Sequence, residues 1–322
     1  MQLFGATLNQ MAFLFSLIFI GFILVRSKIL TKDAAAVLSK LENNVFIPAL
    51  VIGTFMKNFT VEKLSSAGFL VLFACAALVI AVPVGIMLAH FLAKDAYMRR
   101  IYTYGLVFAN FGFMGNAVVQ AIYPEIFMEY LLFTLPSWAL IYVWAVPVLL
   151  MADDGAQQTA ADRLRAVINP MFIGIFIGII LGMSGIAQTA VWQSGFLWLE
   201  KVIGVCGDCM SPVAMLLTGI TVGAIDLKKT FRNGGIYIAS LLRLIVIPAC
   251  VLAFFALVRI PDRTAVICTV CLVSMPLGLN TVVVPSAYGR DTSAAAGMAL
   301  VSHLLSCLTL PVVFMLLERI VE

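Results

Sequence analysis

Asparagine, proline and glycine recur in this chain where a membrane-spanning helix tolerates them least. Ser274-Met275-Pro276-Leu277-Gly278-Leu279-Asn280-Thr281 and Asn110-Phe111-Gly112-Phe113-Met114-Gly115-Asn116 both fall inside long apolar runs. Proline deletes a backbone N–H and clashes with the preceding turn, and glycine costs about 1 kcal/mol in a helix interior, so each cluster is expected to interrupt a helix. In hydrocarbon a freed backbone group is costly, so a chain that carries two such clusters is expected to use them. Half-helix N-termini offer unpaired N–H groups and partial positive charge, and the amides of Asn116 and Asn280 add donors and an acceptor. Such a set suits a small anion. The candidate binding residues are therefore Asn110, Gly112, Asn116, Pro276, Gly278, Asn280 and Thr281, together with Asn44. The competing reading is that these small and polar residues serve only to pack helices closely.

Two charges, Asp208 and Arg243, lie well inside apolar segments, where an ionisable group is a functional hypothesis by default. Asp208 stands one turn before Pro212. Near the breaks it can carry a proton or coordinate a cation, so a proton or sodium ion is the coupling ion it implies; the competing reading is a solvated helix end or a structural hydrogen bond. Arg243 can neutralise an anionic substrate, pair with Asp208 or snorkel to an interface. Glu42 and Glu125 fall near segment ends and read as solvated or capping groups, and His90 and His303 as packing residues with satisfied nitrogens. Cys206-x-x-Cys209 and Cys268-x-x-Cys271 have no histidine close by, so they read as small residues sharing a helix face rather than as metal or redox pairs. No Gly-rich phosphate loop is present, and neither a cofactor nor a convergent nucleophile and base is expected.

The elements that must position these residues follow from composition. Of 322 residues 63% are hydrophobic and 11% charged, and the mean hydropathy is +1.09. A soluble domain has about 25% charged residues, so this is an integral membrane protein set in a lipid bilayer. A spanning helix needs about 20 apolar residues, and ten runs qualify: 8–26, 36–57, 66–92, 101–123, 127–151, 168–186, 197–225, 234–258, 264–289 and 293–318. Loops after odd-numbered spans hold 13 Lys and Arg against 6 on the other side. The richer side is expected to be cytoplasmic, with both termini outside. The net charge of +4 is a topology signal, not a nucleic-acid footprint.

A polar run at 152–167 divides the chain into 1–151 and 168–322. Pro48 and Pro212, Thr54 and Thr218, Asn116 and Asn280, and Pro147 and Pro311 are each separated by 164 residues; Asn44 and Asp208 occupy matching places at the same offset. Five spans per half require the second to enter the membrane from the opposite side, so the expected fold is all-α, two inverted five-helix repeats with broken helices 4 and 9 crossing.

Several short motifs, in order, resemble the auxin efflux carrier family, which includes plant auxin exporters and bacterial malate or malonate carriers. They are Asn44-Val45-Phe46-Ile47-Pro48-Ala49-Leu50, the Asn110–Gly115 run, Asn169-Pro170, Ser211-Pro212, Met275-Pro276-x-x-x-Asn280 with Ala287-Tyr288-Gly289-Arg290-Asp291, and Leu310-Pro311. The resemblance spans essentially the whole chain. It implies ten spans, a substrate site at the crossing, organic-anion transport by an elevator-like movement against a scaffold, and a homodimer. The family usually continues its first crossover with proline after the glycine, and Asn116 stands there instead. A sodium-coupled carrier of the bile-acid symporter type shares the broken crossing and is the alternative within the class; a channel or ligand-sensing membrane protein is the alternative outside it.

Overall fold

The computed structural model describes residues 2–31, 33–151, 170–226, 231, 234–258, 262–287 and 292–321. The mid-chain polar run lies outside them. The described residues form helices: α1 Gln2–Arg26, α2 Ala34–Asn58, α3 Leu64–Leu92, α4 Ala96–Val107, α5 Phe111–Ile122, α6 Pro124–Leu150, α7 Pro170–Ser184, α8 Ala190–Gly195, α9 Leu197–Gly223, α10 Gly234–Leu257, α11 Arg263–Val273, α12 Asn280–Ala287 and α13 Ser293–Val321. Seven of them are long and apolar enough to cross a membrane, and α5, α7 and α11 are shorter apolar helices. The protein is an all-α, multi-pass membrane protein. Large apolar side chains such as Phe91, Phe176, Leu257 and Leu308 face outward, as a lipid-solvated surface requires.

Packing sorts the helices into two groups. In the first, α1 packs along the second half of α9, and α2 packs on α7 and on the first half of α9. Water gives these apolar surfaces no reason to associate in lipid, so close backbone approach must do it. Gly174, Gly178 and Gly182 recur every fourth residue on α7 and lie flat on α2; a Cβ at Gly182 would sit 2.5 Å from the Phe55 carbonyl oxygen and 2.6 Å from that of Phe59. Gly219 of α9 meets the Ile18 carbonyl of α1 in the same way.

In the second group α3 packs on α4 and α6, and α10 and α13 close around α4, α11 and α12. This group is tied by polar side chains instead. Lys63 pairs with Glu129 at 3.0 Å within it, while Lys57 pairs with Glu200 at 3.1 Å within the first. The groups meet where α1 touches α5 and α13, where α9 touches the start of α5, and where α2 touches α12. A long hydrogen bond from Gln10 Nε2 to the Ala117 carbonyl, 3.5 Å, spans that boundary.

Several helices change winding rather than break. Turns of π-helix occupy Glu42–Phe46, Phe111–Gly115, Ile141–Leu150 and Leu242–Val246. Such bulges re-aim side chains at functional sites. The α9 helix is interrupted at Cys209, just before Pro212.

Candidate functional site: the crossing of two broken helices

Two non-helical stretches pass each other antiparallel at the heart of the second group. One is Phe108–Asn110, between α4 and α5; the other is Ser274–Leu279, between α11 and α12. Ala109 and Leu277 form an isolated antiparallel bridge. The Asn110 N–H donates to the Pro276 carbonyl at 2.7 Å, and the Gly278 N–H donates to the Phe108 carbonyl at 3.1 Å. The Leu277 N–H donates to Ser302 Oγ at 3.2 Å, and the Tyr130 hydroxyl donates to the Phe111 carbonyl at 3.2 Å. Each break thus supplies the partners that the other lacks, which is how non-helical backbone survives at membrane depth.

The second break falls at Pro276 and Gly278, as their residue types predict. The first falls at Phe108–Asn110, ahead of Gly112, Gly115 and Asn116, which were expected to interrupt the helix. Those residues instead lie in and just after the π-turn that restarts it. The glycines are there for closeness. A Cβ at Gly112 would collide with the Trp138 ring and one at Gly115 with the Tyr130 hydroxyl, while one at Gly278 would lie 3.1 Å from the carbonyls of both Phe108 and Ala109.

The side-chain amides are disposed unequally. Asn110 Nδ2 donates to His303 Nε2 at 2.9 Å, and His303 Nδ1 donates to the Ala299 carbonyl at 2.7 Å, so the histidine is a satisfied packing residue as its isolation implies. Asn280 is half-buried and donates to the Tyr104 hydroxyl at 3.1 Å. Asn116 is buried, and its Oδ1 has no partner within the protein. Thr281 is fully buried and donates to the Gly278 carbonyl at 2.8 Å.

Arg243 belongs to this crossing. It is 1% exposed, carried on the π-turn of α10. Nη1 donates to the Leu106 carbonyl and Nη2 to the Val273 carbonyl, both at 3.0 Å. Those carbonyls are the orphaned ends of α4 and α11, where the partial negative charge of each helix collects. One guanidinium therefore caps both broken helices. Pairing with Asp208, one of the roles read from the sequence, does not occur.

Asp208 and Asn44 lie elsewhere. Asp208 is exposed and ends the first half of α9. With Thr54, Lys57, Lys63, Gln120 and Glu129 it lines a cavity of about 330 Å³ between α2 and α9 of the first group and α5 and α6 of the second. No crossing residue lines that cavity. Asn44 is exposed, and its amide turns back to the Lys40 carbonyl at 2.8 Å.

Glu42 corrects its expected place as a solvated end group. It is 0% exposed on the π-turn of α2, and neither carboxylate oxygen has a partner. Its position inside the 36–57 apolar run was the available signal. Among the described residues no group of three His, Cys, Asp or Glu could hold a metal ion, and all seven cysteines are free.

The family model described as a membrane transport protein matches residues 6–314. A comparison with curated proteins finds no match. The matched stretch contains both broken helices and Arg243, and the family is one of transporters rather than enzymes. By that match, which runs through the crossing from end to end, the chain belongs to the auxin efflux carrier family of membrane transport proteins.

Proposed function

We propose that the chain is a secondary active transporter of small organic anions, mono- or dicarboxylates or auxin-like acids, resident in the cell membrane with both termini outside. The observation that carries this reading is the paired break: α5 and α12 restart beside one crossing, with the Asn280 amide in the first turn of α12 and the Asn116 amide just after the opening π-turn of α5. Half-helix N-termini that converge near the bilayer midplane favour negative charge.

The substrate moves with the second helix group, which slides against the first in an elevator-like step. Support comes from the way each group is tied internally, by glycine contacts in one and by the crossing and Arg243 in the other. Each group draws helices from both of two inverted five-helix repeats, 1–151 and 168–322, joined by a cytoplasmic linker at 152–167. The π-turn Glu42–Phe46 and the interruption at Cys209 fall at matching places under the 164-residue offset, which supports the repeat. A proton or sodium ion is the coupling ion, and the working unit is a homodimer.

Exchange across proteoliposomes tests this. Radiolabelled malonate, malate and indole-3-acetate should show saturable uptake that is accelerated by the same anion on the far side. Unitary currents without counterflow would identify a channel instead. Replacing sodium with choline at fixed pH separates the two coupling ions.

A further inference from the structure

Arg243 is a whole positive charge fixed inside the protein. Its two outer nitrogens are engaged by main-chain carbonyls, and Nε is buried without a partner. Carbonyl dipoles hold a guanidinium but leave its unit charge in place. Neither of the two ion pairs formed between described residues includes it. The matching places in the first half, 164 and 165 positions earlier, hold Val79 and Leu78, so one cation serves both breaks.

Two more buried polar atoms without a partner belong to the chain segments it joins, one in the second break and one on the helix that follows the first. Ser274 follows directly on Val273, whose carbonyl Arg243 holds, and Asn116 follows the π-turn that opens α5. Polar atoms buried this deeply are normally satisfied, so each of these is free to meet a ligand.

We propose that Arg243 is the positioning residue that makes the crossing select anions. It covers the negative ends of α4 and α11, so only the positive ends of α5 and α12 and its own charge remain to face a substrate. The charge acts through space: at an effective dielectric near that of a protein interior, a cation favours an anion over several ångströms without touching it. This inference rests on the anion-transport reading and names what sets its charge preference.

The test is anion affinity measured by isothermal titration on the purified full-length protein, with acetate, malonate, malate and indole-3-acetate as probes. Arg243→Gln keeps an amide donor and removes the charge; Arg243→Lys keeps the charge and loses the two-pronged hydrogen bond. The expected result is a loss of about tenfold or more in Arg243→Gln, with Arg243→Lys within about threefold of the parent. A role confined to helix capping predicts that both variants lose affinity alike, and that outcome overturns the proposal. So does parental affinity in Arg243→Gln. Ser274→Asp sets a carboxylate beside the capped Val273 carbonyl and leaves Arg243 intact. It carries the test if Arg243→Gln does not elute as a folded species, with the same loss expected and parental affinity again overturning the proposal. If the parent binds none of the four anions, the transport reading itself fails.

Discussion

The main-chain N–H of Asn110 lies 2.7 Å from the carbonyl oxygen of Pro276, joining two helices that sequence separates by more than half the chain. Proline 276 cannot donate, but its carbonyl can accept, and Asn110 uses it. The breaks are thus a reciprocal pair, in which neither non-helical stretch could persist in lipid without the other.

Removing the arginine that caps both breaks should be among the most damaging single changes. Arg243→Met leaves the Leu106 and Val273 carbonyls buried and unpaired, and breaking a buried charged contact costs about 3–5 kcal/mol. Thermal melting in detergent should show a markedly lower midpoint, whereas a snorkelling arginine would leave the midpoint unchanged.

On the first helix group, Gly182→Val drives a branched side chain into the main-chain carbonyls of Phe55 in α2 and of Phe59 just beyond it, which cannot retreat unless the helices separate. Overpacking costs about 1–3 kcal/mol where a core can relax, and here backbone is the obstacle. Gly68 on α3 is exposed, with nothing near its missing Cβ, so Gly68→Ala should be neutral or slightly stabilising. Melting midpoints of the two variants should move in opposite directions or differ by several degrees.

Glu42 gives a prediction of unusual sign. A carboxyl group buried with both oxygens unpartnered is a cost to folding, so Glu42→Leu should raise stability by about 1–3 kcal/mol. A lower melting midpoint for this variant would mean that the carboxyl group has a partner which the packing of α2 conceals.

How much of this was legible from sequence varies with how local each cause is. Pro276 and Gly278 announce their break because a missing N–H and a missing Cβ are properties of the residues themselves. The break at Phe108–Asn110 contains no helix breaker. It is non-helical because Pro276 and Gly278 lie beside it, a contact across the fold that displaced the expected interruption from Gly112–Asn116. Arg243 was visible as a costly charge, but its partners are main-chain carbonyls, and carbonyls carry no sequence signature. Glu42 lies close to a segment end, which points to solvation, whereas on the π-turn it is fully buried. The every-fourth-residue glycines of α7 were there to be read, and they specify how α7 lies on α2. Asp208 and Asn44 match under the repeat offset, yet matching places in two halves need not meet, and neither residue reaches the crossing.

The most direct test of the account is a thermal-shift titration of the purified protein with acetate, malonate, malate and indole-3-acetate, repeated on Asn116→Ala and Asn280→Ala. A ligand at 100 times its dissociation constant stabilises by about 2.7 kcal/mol, enough to move the midpoint by several degrees. The account predicts that at least one anion raises the parent's midpoint and that both variants lose most of the shift. Full shifts in both variants would contradict it by placing the anion away from the crossing.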